Sequence, residues 1–291
     1  MKKLIYTFLL LILLIPITGC FKRDSLENIE IMTTVYPIEY VTNYLYGEHA
    51  IVNSIYPDGT DTNNYTLSEK QIDDYSSKDL FIYNINTSDK DIATKFLEKN
   101  KNLLIIDSSS GIDVEYGKEE LWLNPSHLLM MSQNIKVGLD EYISSTYLKK
   151  EINDNYEKLK IELSELDAEV KLTQANAAYK TLVVTNDSLK CLEKYGFTVI
   201  SLDNTNNTVS EKTIAQVKSL ITKGSVKAIF TLTYDELNDT TKAIIEETKI
   251  KTVEFYRLDN ITEEQRDNKE NYLTIMNKNI DLLKENVFKS E

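Results

Sequence analysis

Apolar side chains at Ile152, Tyr156, Leu159, Leu163, Leu166 and Val170 recur at alternating steps of four and three, with Lys, Glu and Asp filling most positions between them. That spacing draws one stripe down a long helix, from about Thr146 to Ala177. Two readings of the stripe are open: a coiled-coil or dimer seam, or a backbone helix lying along two lobes and connecting them. Only about three heptads are present, with strand–helix units on both sides, which favours the connector. On either side, short β-branched and aromatic runs alternate with longer helix-period segments, as expected of βα units around a mostly parallel sheet. The runs before the helix predict strands at Ile29–Val35, Ala50–Tyr56, Leu80–Asn84 and Leu103–Asp107. Those after it predict strands at Thr181–Thr185, Thr198–Leu202, Ala228–Thr231 and Thr252–Phe255. Ser68-Glu69-Lys70-Gln71 has capping-box form, and a helix from Ser210 to Ile221 is closed by Gly224. The expected fold is α/β: two lobes, each with a mostly parallel four-stranded sheet flanked by helices, bridged by one long helix.

The first twenty residues follow a different rule. Lys2 and Lys3 precede an apolar run from Leu4 to Ile15 that is too short to span a hydrocarbon core of about 30 Å comfortably. Small residues then close the segment at Ile17-Thr18-Gly19-Cys20, which resembles a bacterial lipobox. The resemblance implies cleavage before Cys20, lipidation of its thiol, and a protein tethered to the outer face of the bacterial cell membrane. The expected divisions are a signal peptide over 1–19, a tether over 20–28, an N-terminal lobe over 29–145, the linking helix over 146–178 and a C-terminal lobe over 179–291.

Charge and cysteine content narrow the function classes. The chain of 291 residues carries 46 acidic against 33 basic residues, a formal charge of −13, so a phosphate backbone repels it and no nucleic-acid partner is expected. With Cys20 taken by lipid, Cys191 is left alone and no intramolecular disulfide can form. Its helical context predicts a small buried residue rather than a nucleophile. There is no nucleophile elbow, Walker-type loop or His-x-x-x-His pair, so no enzyme activity is expected.

Several short motifs follow one another in a telling order: Met32-Thr33-Thr34-Val35-Tyr36-Pro37 and Tyr56-Pro57-Asp58-Gly59-Thr60 early, Leu121-Trp122-Leu123-Asn124-Pro125 before the long helix, Val183-Val184-Thr185-Asn186-Asp187 after it, and Tyr272-Leu273-Thr274-Ile275-Met276 near the end. Together with the lipobox and the central helix, they resemble the zinc/manganese-receptor family of ABC importers, lipoproteins sometimes described as adhesins. The resemblance covers nearly the whole mature chain. It implies two α/β lobes joined by a rigid helix, a ligand held in the cleft between them, and delivery to a membrane permease driven by a cytoplasmic ATPase. It also implies where zinc or manganese donors would stand: Asn63, Glu120, Asn186 and Tyr256, with Asp259 close to the last.

A buried transition metal needs three or four converging imidazole, thiolate or carboxylate donors, and of these four positions only Glu120 is one. His49, in a polar turn, is expected at the surface. His127, after Asn124-Pro125-Ser126, is expected in the first turn of a helix behind the cleft. The leading expectation is therefore an extracytoplasmic solute-binding lipoprotein with a degenerate metal site. A receptor for a non-metal small polar ligand and a non-transport surface protein using the same fold as a scaffold are the alternatives.

Overall fold

The computed structural model describes residues 28–115, 120–205 and 208–289. The leader, Cys20 and all of the tether but Asn28 lie outside these residues. Four strands, β1 (Ile29–Thr33), β2 (Ala50–Ser54), β3 (Leu80–Tyr83) and β4 (Leu104–Asp107), form a parallel sheet in the order β2-β1-β3-β4. Four more, β5 (Thr181–Val184), β6 (Thr198–Ser201), β7 (Ala228–Leu232) and β8 (Lys251–Phe255), repeat that order as β6-β5-β7-β8. The inner strands β3 and β7 are covered on both faces and buried at every residue, with Thr231 the one polar side chain in the two. The edge strand β8 instead alternates, burying Val253 and Phe255 and exposing the rest. This two-sided burial explains why the strands are readable as runs.

The helices are α1 (Tyr36–Tyr46), α2 (Glu69–Ser76), α3 (Asp89–Lys99), α4 (Pro125–Tyr142), α5 (Thr146–Asn176), α6 (Glu211–Thr222), α7 (Asp239–Thr248), α8 (Glu263–Asp267) and α9 (Tyr272–Val287). Ser68 makes the expected capping box with Gln71, its hydroxyl accepting the Gln71 N–H while the Gln71 side chain accepts the Ser68 N–H. Asn124 caps α4 by accepting the Ser126 N–H at 3.1 Å, with Pro125 in the first turn, where a missing N–H costs nothing. Ser210 caps α6, and Gly224 just past its end takes a left-handed φ of 69°.

All six stripe residues of α5 are buried in a single apolar core shared with both lobes. The helix packs on α1, α4 and α9. The stripe is thus covered by the chain itself, so the connector reading holds and no coiled-coil seam is left exposed along it. A second, smaller core of Val183, Leu202, Val217, Val226, Ile229 and Ile244 lies on the other face of the second sheet. Among the described residues no helix is long and apolar enough to cross a membrane.

The repeated strand order has a consequence for function. In each sheet the chain leaves the first strand toward one edge and returns on the other side, leaving a crevice at the carboxyl ends of β1 and β3, and of β5 and β7. Such switch points are where open α/β sheets bind ligands.

Candidate functional site

The two crevices face each other across a seam built from the loop after β2 and the segment after β8. Gly59, at φ 73°, turns the first loop so that its N–H donates to Ile261 O at 2.8 Å. Asn260 donates through Nδ2 to Pro57 O and Thr60 O, and Thr62 donates to the Asp259 carboxylate at 2.6 Å. Trp122 Nε1 donates to Arg257 O at 2.7 Å, while the Tyr272 hydroxyl donates to Trp122 O at 2.6 Å. The lobes are therefore sewn together by backbone as well as side-chain groups.

A cavity of about 440 Å³ opens beside this seam, with walls from both lobes. The first lobe contributes Tyr56, Thr62, Asn63, Tyr65 and Asp89, the segment before α4 contributes Glu120 and Trp122, and the second lobe contributes Arg257 and Asp259. Burial pushes the Asp89 carboxyl up to about 6, although the Asn84 N–H donates to it. Burial also raises the carboxyl of Asp259, against the Thr62 hydrogen bond and the nearby charge of Arg257.

At the inner end of the cavity lies a buried charge cluster. The Arg257 side chain is 3% exposed, and its Nη2 donates to Asp235 Oδ1. Its Nε stands 3.9 Å from Glu120 Oε1, and its Nη1 stands 4.0 Å from Asp61 Oδ1. Glu120 in turn accepts from the Ser188 hydroxyl, and Asp235 accepts from Asn186 Nδ2 at 3.1 Å. Burial raises the carboxyl of Asp235, while Arg257 and the Asn186 hydrogen bond pull it back. Two bulky residues next to this pair hold left-handed backbone, Tyr234 at φ 69° before Asp235 and Leu258 at φ 65° after Arg257. Such conformations cost an L-residue on the order of 1–2 kcal/mol and persist only where surrounding contacts fix them.

The residues expected at the site from sequence are only partly brought together. Glu120 is buried at the cavity, and Asn63 sits exposed at its mouth, its N–H donating to Asp61. Asn186 reaches the cluster through Asp235, and its Oδ1 accepts the Ser188 N–H at 2.8 Å, starting the 3-10 turn Asp187–Tyr195. Tyr256 does not line this cavity: its backbone is held on both sides by Asn279, and its ring lies near Lys278 in a separate recess region. Asp259, three residues beyond the Tyr256 to which the resemblance assigned the last donor, lines the cavity, and Arg257, Asp235 and Asp61 were missed. One signal for Arg257 was available: the chain has three arginines, Arg23, Arg257 and Arg266, in a composition otherwise dominated by lysine. Arginine is preferred where a fork of donors must meet carboxylates under cover.

Neither histidine supplies a donor to the cluster. His49 is not an exposed surface residue: it is half-buried against Tyr46, with Nε2 at 3.1 Å from Glu151 of α5. His127 does lie in the first turn of α4, where burial, and then the charge of Lys194, lower its imidazole and favour the neutral form. Cys191 lies in the 3-10 turn rather than an α-helix, and burial pushes its thiol up to about 12, so it carries no thiolate at neutral pH. Among the described residues no three His, Cys, Asp or Glu side chains are arranged to hold a metal ion.

Residues 31–286 match the family model described as zinc-uptake complex component A, periplasmic, ZnuA. The chain belongs to the ZnuA family. It is 22% identical to the zinc-binding protein AdcA of Streptococcus pyogenes serotype M3 over 88% of its own length, and it spans 56% of that relative. It is 29% identical to the iron ABC transporter substrate-binding lipoprotein MtsA of Streptococcus pyogenes serotype M1, over 77% of each chain. The Zn(II)-bound ZnuA-like domain of Streptococcus pneumoniae AdcA superposes with a TM-score of 0.73 at 21% identity, over 90% of this chain and 100% of that one. At that identity the likeness shows a common fold.

Proposed function

We propose that the mature protein is the extracytoplasmic receptor of an ABC importer, anchored to the outer face of the cell membrane through a lipid on Cys20, and that it hands its cargo to a membrane permease powered by an ATPase. The cargo site is the cavity between the lobes, and the cargo is a small polar organic solute rather than zinc or manganese. Asn63, Thr62, Asp259 and Glu120 would line it, with Tyr56 and Trp122 as apolar walls; Asn186 would act through Asp235, and Tyr256 would stand behind. Zinc and manganese remain the cargo suggested by ZnuA family membership alone.

The observation that carries this choice is the guanidinium of Arg257 beside Glu120. A divalent ion on Glu120 would meet the charge of Arg257 and would have to displace a guanidinium that Asp235 already holds, with Asp61 beside it. The amide groups of Asn63 and Asn186 are neutral, weak donors for such an ion. The test is a thermal-shift panel on chelator-stripped mature protein, with divalent ions in one arm and small polar solutes in the other. A saturable shift from an organic solute, with at most a small one from Zn²⁺ or Mn²⁺, is expected. A large saturable shift at micromolar Zn²⁺ would restore the metal-receptor reading. If a weak metal effect is seen, Glu120→Ala should abolish it.

A further inference from the structure

The three carboxylates around Arg257 come from separate parts of the chain: Asp61 from the loop after β2, Glu120 from the turn before α4, and Asp235 from the loop after β7. Asp61 and Glu120 belong to the first lobe side of the cleft, Asp235 and Arg257 to the second. All four side chains are largely shielded from water, Arg257 and Glu120 at 3% and 7% exposed, Asp235 and Asp61 at 16% and 22%. Carboxylates withdrawn from water in this way repel one another across the cleft unless a cation sits among them.

We propose that Arg257 is the cleft's own resident cation: its planar guanidinium fills a socket of three carboxylates contributed by both lobes and pins the lobes at their present spacing. The role depends on the direction of each nitrogen as well as on charge. Nη2 donates to Asp235, whereas Nε and Nη1 stand 3.9 Å from Glu120 and 4.0 Å from Asp61, close enough to pair by charge but beyond hydrogen-bond reach, and Nε makes no hydrogen bond. A lysine ammonium is a point charge and cannot address three separated carboxylates at once. The backbone fixes the socket's occupant from behind, because the Arg257 N–H donates to Thr233 Oγ1 at 3.0 Å and its carbonyl accepts from Trp122 of the opposite wall. Arg257 is thus a positioning residue for the cleft. The proposal rests on the reading of that cleft as the cargo site only for its functional meaning; the socket itself stands on geometry.

The test is chemical rescue. In the full mature chain, Arg257→Ala is expected to lower Tm by several degrees and to raise the radius of gyration in solution scattering as the lobes part. Millimolar methylguanidinium should restore much of both changes in the variant and do nothing for the wild type. Methylammonium and potassium chloride at equal ionic strength should restore much less. Equal effects of all three salts, or no loss in Arg257→Ala, would overturn the proposal. Where the alanine variant yields no folded protein, Arg257→Lys and the pair Glu120→Gln and Asp235→Asn carry the test. The lysine variant should fold with a lowered Tm. Neutralising both acids should also lower Tm, because the guanidinium then lies buried with too little counter-charge, and an unchanged or raised Tm would overturn the proposal. A solute panel without a hit leaves the rescue result intact, whereas failed rescue removes the role of Arg257 even if a solute binds.

Discussion

Replacing Arg266 with glutamine should weaken the seam between the lobes in a pH-dependent way. Arg266, on α8, donates from Nε and Nη2 to Asp58 at 2.7 and 2.8 Å and from Nη1 to Glu39 of α1 at 2.8 Å. Glu39 is nearly buried, at 6% exposed, while Arg266 is 42% exposed. Breaking a fully buried pair costs about 3–5 kcal/mol, and the solvent around Arg266 reduces this to about 2 kcal/mol. For a chain of this size that corresponds to a fall in Tm of about 4–8 °C. Burial already raises the carboxyl of Glu39 above the ordinary range, with Arg266 opposing. A carboxyl raised in the folded state favours folding fully below its unfolded value of about 4.3, and that contribution is lost as pH rises through the folded value. Without Arg266 the folded value climbs further. The deficit of Arg266→Gln should therefore be largest near neutral pH and shrink toward pH 5 as Glu39 takes up a proton. Urea unfolding of both proteins at the two pH values measures it, and a deficit that is absent, or equal at both, refutes the reasoning.

Two further outcomes follow from burial elsewhere. With its carboxyl pushed up to about 6, Asp89 should make the wild type lose stability as pH rises from about 4 through that value, and Asp89→Asn should flatten this part of the profile in thermal melts. Equal slopes for the two proteins would contradict that assignment. Leu159, fully buried in the middle of α5, should cost about 3 kcal/mol when cut to alanine, read as a lowered urea midpoint with an unchanged slope. A loss below about 1 kcal/mol would mean that α5 does not hold the two lobes on one core.

Much of the architecture was legible because local chemistry and global packing agree. Strands such as Leu80–Tyr83 are apolar at every position because helices cover both faces, and the α5 stripe keeps its period because one side of that helix meets both lobes. Ser68 and Gly224 mark helix ends by rules that act within a few residues. The site was less legible because its parts converge from loops that are distant along the chain. Glu120 and Asn63 line the cavity, but Glu120 accepts from Ser188, 68 residues on, and stands 3.9 Å from Arg257, both in the opposite lobe. Resemblance aligned the last donor to Tyr256, yet Asn279 grips that residue's backbone and its ring lies by Lys278, while its neighbour Arg257 enters the cluster. His49 looked like a surface residue because the turn around it is polar; its partner Glu151 comes from α5, over a hundred positions on. Nothing within a short window announces such pairings.

Asp61, Glu120 and Asp235 surround the chain's own guanidinium, which a transition metal would have to displace. Calorimetric titration of chelator-stripped mature protein with Zn²⁺, repeated with Mn²⁺, measures this directly. No stoichiometric binding is expected below millimolar metal. One ion bound per chain at micromolar or tighter affinity, and lost in Glu120→Gln, would contradict it.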